Sequence, residues 1–277
     1  MTILNAIILG VIQGITEFLP VSSTGHLCVL NNLFDIVTVS DGHLLFDVLL
    51  KLGTLSAVIV VYWQDIAQMF FEMLHFVGVG PLAGKQQPRY PAARLFIMLV
   101  FATLPLLLAV PIRRMMDALY YRSFFVGAAI ILTGCVLYVS DKMVQGKKRE
   151  NGITAFDAVI IGLCQCISVI PGLSRTGISV TAGISTGLRA DFALKFSYLL
   201  SLPAFLGAVI LELADALKQG IDLHNIPAYL IGMLGAMLAG IAALSFMRKF
   251  FERGKFGGFA YYCWVFGVLS IILTLIF

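Results

Sequence analysis

The segment EFLPVSSTGH, Glu17–His26, crowds a carboxylate, three hydroxyls, a proline, a glycine and an imidazole closely behind the apolar run ILNAIILGVI. Polar groups in hydrocarbon need partners, and irregular backbone at membrane depth is tolerated only where protein or water surrounds it. The segment therefore reads as the tip of a broken helix enclosed by protein.

A second stretch resembles it when the chain is laid on itself 152 residues apart without a gap: GVIQGITEFLPVSSTG, Gly10–Gly25, against GLCQCISVIPGLSRTG, Gly162–Gly177. Gly10, Gln13, Ile15, Ser22, Thr24 and Gly25 recur as Gly162, Gln165, Ile167, Ser174, Thr176 and Gly177, which argues for duplication. Residues 1–277 are expected to form one membrane domain, with internal repeats of approximately 1–140 and 153–277. Each unit predicts an apolar helix of about 16 residues, a break holding proline and glycine, and a short second helix, His26–Phe34 or Gly177–Leu188. Neither helix has the length to cross alone, so each unit reads as a re-entrant hairpin.

Around these units the chain is uniformly apolar. Of its 277 residues 60% are hydrophobic and 12% charged, and the mean hydropathy is +0.96, outside the range of soluble proteins. Windows long enough for a core of ~30 Å recur at Phe46–Tyr62, Ala92–Val110, Phe124–Val139, Phe192–Leu213, Pro227–Phe246 and Phe259–Phe277. They lack the alternation of barrel strands. The expected fold is an all-α integral membrane protein with about six transmembrane helices plus two re-entrant helical hairpins in an inverted-topology repeat. Met1–Leu19 has no Lys or Arg and no small-residue cleavage site, so it belongs to the fold. The five cysteines read as packing residues, and no basic groove suggests nucleic acid. His43, His75 and His224 receive no role.

Three spans between the hairpins make them enter from opposite faces. One set of loops holds Lys85, Arg89, Arg94, Lys142, Lys147, Lys148, Arg149, Arg248, Lys249, Arg253 and Lys255; the other holds Arg113, Arg114, Arg122 and Lys218. The richer set is expected to be cytoplasmic. The first hairpin then faces outward, and the tips meet near the midplane. Gln64–Gly80 fits a helix lying in the interface or an extension of the preceding span.

An ionised group inside a span costs at least ~2.5–3.5 kcal/mol, so Glu17 needs a partner, and Arg175 at the opposite tip is the candidate. Gln13 shares a helix face with Glu17, and Gly10 and Gly14 allow close approach of a neighbouring backbone. Ser22, Ser23 and Thr24 stand before one helix start, Ser174 and Thr176 before the other. Hydroxyls, helix N-termini and a guanidinium suit phosphate, and Glu17 with Gln13 could hold a divalent cation. Ser23 or His26 could be the nucleophile, or His26 could activate water. The set fits hydrolysis of a phosphoric anhydride. A transporter or flippase for a phosphorylated lipid or anion would use the same groups without turnover.

QGITE (Gln13–Glu17), FLPVSSTGH (Phe18–His26) and PGLSRTGIS (Pro171–Ser179) closely resemble the undecaprenyl-diphosphate phosphatase family, the bacitracin-resistance proteins. The resemblance covers essentially the whole chain. It implies an enzyme that removes the terminal phosphate of a polyprenyl diphosphate carrier lipid to recycle it for cell-wall synthesis. It also implies a magnesium or calcium ion, a multi-pass location in the bacterial inner (plasma) membrane, and a site opening to the outer face. The family's first motif falls on Gln13, Glu17, Ser23 and His26, and its second on Pro171, Gly172, Ser174 and Arg175, with Thr176 where serine is usual and Ser179 where threonine is usual. Catalytic roles are expected for Glu17, Ser23, His26 and Arg175, substrate contacts for Ser22, Thr24, Ser174, Thr176 and Ser179, and metal binding for Gln13 and Glu17. Lys51 departs from the neutral polar residue expected there; a pairing with Asp47 along one helix face is the favoured reading, and contact with the diphosphate the alternative. A homo-oligomer is left open.

Overall fold

A computed structural model describes residues 1–34, 44–76, 91–112, 116, 122–144, 146–219, 223–251 and 256–276. Lys85, Arg89, Arg113, Arg114, Arg253, Lys255, His43 and the Val77–Gly80 end of the expected interfacial helix lie outside the described residues. Among the described residues the secondary structure is helical, apart from one isolated bridge between Lys148 and Leu188.

Six helices are long and apolar enough to cross a membrane: Leu44–Val61, Pro91–Ile112, Ser123–Lys142, Ala190–Lys218, Ile226–Phe251 and Gly258–Ile276. They coincide with the six apolar windows and outrun several of them, because helical hydrogen bonding continues into flanking polar residues that hydropathy alone excludes. We label the helices α1 (Ile3–Phe18), α2 (Ser23–Phe34), α3 (Leu44–Val61), α4 (Trp63–Phe76), α5 (Pro91–Thr103), α6 (Ser123–Lys142), α7 (Ala155–Cys166), α8 (Arg175–Ser185), α9 (Ala190–Gln219), α10 (Ile226–Phe251) and α11 (Gly258–Ile276). After α5 the helix tightens to a 3-10 turn at Leu104–Leu108, where Pro105 supplies no N–H.

The two polar-studded units are α1–α2 and α7–α8, each a pair of short helices around an irregular break. At 16 and 12 residues, α1 and α2 measure roughly 24 and 18 Å, so neither spans a core of ~30 Å. Their starts differ from expectation: α2 begins at Ser23 and α8 at Arg175, two or three residues early. One cap serves one helix. The hydroxyl of Ser174 takes the N–H of Gly177 (3.1 Å), that of Ser22 takes the N–H of Gly25 (3.2 Å), and the remaining hydroxyls fall inside the first turns.

Glycines decide how closely these pairs pack. α1 lies along α10, and a Cβ on Gly10 would sit 2.2 Å from the carbonyl oxygen of Gly232. The repeat reproduces this contact, because α7 lies along α5 and a Cβ on Gly162 would meet the Ala102 carbonyl oxygen at 2.2 Å. The first helix of each broken pair thus leans on a spanning helix from the other half of the sequence. α2 packs on α6, and α8 packs on both α6 and α9.

At the other end of the spans, Lys148 holds the start of α7 by binding Asp157 through both carboxylate oxygens (2.9 and 3.0 Å), while Asp157 completes a capping box with Thr154. Glu72 of α4 accepts the N–H groups of Ala92 and Ala93 at the start of α5 (2.8 and 3.0 Å), with Trp63, Phe70 and Phe71 of α4 left exposed. Gly10→Val is expected to destabilise the protein by at least ~1–3 kcal/mol, the usual cost of overpacking. Thermal unfolding in detergent checks this, with Gly207→Ala, whose Cβ would meet nothing within 4 Å, changing little.

Candidate active site

Two breaks face each other. The first, Leu19–Ser22, is anchored by Tyr198 of α9, whose hydroxyl donates to the Phe18 carbonyl at 2.7 Å. Its last residue, Ser22, takes φ +71°, a left-handed conformation that a non-glycine residue adopts only under constraint. His26 supplies the constraint, for its backbone N–H (3.2 Å) and its Nδ1 (2.8 Å) both reach the Ser22 carbonyl. The second break is pinned by Thr133 of α6, whose hydroxyl accepts the N–H of Ser174 (3.0 Å) and approaches the Gly172 carbonyl at 3.1 Å. Gly172 sits at φ +96°, which glycine takes without strain.

With both breaks held, Glu17 and Arg175 meet. Arg175 Nη2 donates to Glu17 Oε1 at 2.9 Å, and both side chains are largely buried. The other carboxylate oxygen, Oε2, receives Gln13 Nε2 (2.8 Å) and Ser23 Oγ (2.7 Å). The guanidinium stacks on Phe205 of α9, 4.1 Å from the ring centre, and its Nη1 has no hydrogen-bond acceptor. An arginine with an unused donor beside a satisfied carboxylate is ready to grip an added oxyanion.

These groups wall a cavity of about 220 Å³. Gln13, Glu17, Ser22, Ser23, Thr24, Ser174 and Arg175 line it, as the sequence predicts. Three expected participants stand elsewhere. Thr176 donates to the Glu17 backbone carbonyl at 3.4 Å, and Ser179 pairs with Ser197 at 2.5 Å while donating to the Arg175 carbonyl, so both brace the tip. His26 stacks on Phe266 at 4.1 Å, and its Nε2 meets the Tyr262 hydroxyl at 2.7 Å. Because a carbonyl only accepts, Nδ1 carries the proton donated to Ser22, which leaves Nε2 to accept from Tyr262 in the neutral ring.

The Asp47–Lys51 pairing expected within one helix persists as an attraction between charges, but the direct ion pair of Lys51 lies elsewhere. Lys51 forms its ion pair with Glu212 of α9, across the helix interface, and both Asp47 and Lys51 face the cavity. Glu212 escaped the sequence reading although a carboxylate inside the apolar window Phe192–Leu213 is the signal that should have marked it. Thr133, Tyr198 and Phe205 carried no such signal.

Thr133→Val keeps the shape and removes the hydroxyl, leaving the buried Ser174 N–H without its acceptor. The expected cost is about 1–3 kcal/mol in thermal unfolding, with Thr133→Ser close to the unaltered protein.

Architecture and site together define a multi-pass helical membrane protein whose polar cavity is walled by two broken helices and closed by a carboxylate–guanidinium pair. Residues 6–269 match the family model described as bacitracin resistance protein BacA, and the chain belongs to that family. Among similar proteins, the undecaprenyl-diphosphatase of Carboxydothermus hydrogenoformans is 32% identical over 97% of this chain and 96% of its own length. That of Alkaliphilus metalliredigens is 34% identical over the full length of both. That of Methanobrevibacter smithii is 35% identical over 97% of this chain and 96% of its own.

Proposed function

We propose that this protein is an undecaprenyl-diphosphate phosphatase, releasing the terminal phosphate of a polyprenyl diphosphate in the membrane. The observation that carries this reading is the cavity in which Arg175 has a donor to spare and Ser23 is bonded at 2.7 Å to a carboxylate. The full-length likeness to undecaprenyl-diphosphatases supports it.

A chemical sequence follows from these contacts. In the unliganded arrangement Arg175 is bonded to Glu17. An entering phosphate draws the guanidinium toward its oxygens, and Glu17 becomes free to take the Ser23 proton. Ser23 Oγ then bonds to the terminal phosphorus as the bond to the bridging oxygen breaks, and the lipid monophosphate departs. Water attacks the phosphoserine and the bond from phosphorus to the Ser23 oxygen breaks, one water proton passing to that oxygen while the proton held by Glu17 leaves with the freed phosphate. Arg175 and the hydroxyls of Ser22, Thr24 and Ser174 stabilise charge on the phosphoryl oxygens. His26 acts at one remove, by holding Ser22 in its left-handed turn.

Among the described residues no three His, Cys, Asp or Glu converge as a ready-made metal site. Once Arg175 swings away from the carboxylate, Glu17 and the Gln13 amide oxygen would be the protein ligands of a loosely held magnesium or calcium ion that draws most of its ligands from water and substrate. Bound there, such an ion would neutralise phosphoryl charge.

The broken pairs are re-entrant hairpins of a duplicated, inverted unit, a reading supported by the three spans between them and by their matching glycine contacts. Lys142, Lys147, Lys148, Arg149, Arg248 and Lys249 mark the cytoplasmic face, which opens the cavity to the outer side of a bacterial inner membrane.

Phosphate release from undecaprenyl diphosphate by the purified protein in detergent tests the proposal. Glu17→Ala, Ser23→Ala and Arg175→Ala should each lower kcat by about 10²-fold or more with folding intact. EDTA should abolish turnover and magnesium restore it. Substrate binding or vesicle flux without phosphate release would overturn the phosphatase reading in favour of a transporter.

A further inference from the structure

Two charged groups of the cavity wall, Asp47 and Lys51, take no part in that chemistry, and only Lys51 is a cation. Lys51 lies on α3, lines the same cavity as Arg175, and is ion-paired to Glu212 of α9. The pair is lopsided: the Lys51 side chain is 27% exposed, whereas that of Glu212 is 3% exposed. The acid therefore lies behind the base, and the base borders the cavity. An ammonium has three N–H donors, and the bond to Glu212 uses one. The wall also carries two carboxylates, Glu17 and Asp47, which repel an entering polyanion. Arg175 can answer one phosphoryl group; a diphosphate brings two.

We propose that Lys51 is a second phosphate anchor, which makes the cavity prefer a diphosphate over a monophosphate. The idea rests on the phosphatase reading and refines its specificity: substrate carries both phosphoryl groups, whereas the lipid product carries one and gives up the second cation's grip. Glu212 holds the ammonium in position and keeps its charge compensated while the cavity contains no phosphate. The competing account makes Lys51–Glu212 a pin between α3 and α9 with no ligand role.

Calorimetric titration of the purified protein with inorganic pyrophosphate and with inorganic phosphate separates the two, because it requires no turnover. The unaltered protein should bind pyrophosphate more tightly than phosphate. Lys51→Gln should shrink that preference roughly tenfold, as loss of a charge-assisted hydrogen bond does. Glu212→Gln, which releases the ammonium, should keep or enlarge it. The double variant Lys51→Gln/Glu212→Gln removes both members of the ion pair, so it carries the test if Lys51→Gln alone fails to fold, and it should show the same reduced preference. A preference that is absent from the unaltered protein, untouched by Lys51→Gln, or restored in the double variant overturns the proposal. Preference for pyrophosphate in a protein that releases no phosphate from the lipid would fault the phosphatase reading and leave the anchor standing.

Discussion

The buried Glu17–Arg175 ion pair organises the cavity. Removing a carboxylate and a guanidinium from water costs several kcal/mol each, and their attraction compensates only when geometry is good and the remaining valences are filled. Glu17 meets that condition with donors from Gln13, Ser23 and Arg175. Arg175 meets it in part, through Glu17 and the face of Phe205. The remaining structure holds the two groups at contact distance. Tyr198 fixes one break and Thr133 the other, and close packing at Gly10 and Gly162 seats the first helix of each pair against a spanning helix.

The same arrangement explains why the chemistry sits at helix breaks. A continuous span would satisfy its own backbone and leave no free N–H groups or irregular turns to gather hydroxyls. Interrupting α1 and α7 at matching points concentrates Ser22, Ser23, Thr24 and Ser174 in a space that the surrounding helices enclose. The strained Ser22 turn is part of that design, and it is maintained by a histidine whose ring is itself fixed between Tyr262 and Phe266.

Much of this was legible in the sequence, for identifiable reasons. Hydropathy exposes spans because lipid imposes a length, and the 152-residue echo exposed both tips because polar residues at membrane depth are rare. The Glu17–Arg175 contact followed from charge economy alone. Local rules failed where partners are distant: the i,i+4 pattern paired Lys51 with Asp47, while its ion pair is with Glu212, 161 positions away. Equivalent hydroxyls could not be ranked either. Ser23 turns to Glu17, but Ser179 turns to Ser197, a choice set by α9 packing that no motif spells out. His26, expected in the catalytic set by residue type, has its ring against Phe266 and its two nitrogens on the Ser22 carbonyl and the Tyr262 hydroxyl.

The most direct test is an internuclear distance. Solid-state NMR on protein in bilayers, labelled with 15N in arginine side chains and 13C at glutamate carboxylates, reads guanidinium–carboxylate contacts. Among the described residues, Glu17–Arg175 is the arginine–glutamate ion pair. The account predicts a contact of about 4 Å, the separation implied by a charge-assisted hydrogen bond, that vanishes in Glu17→Gln. A spectrum without such a contact, or one unchanged by that substitution, would contradict it.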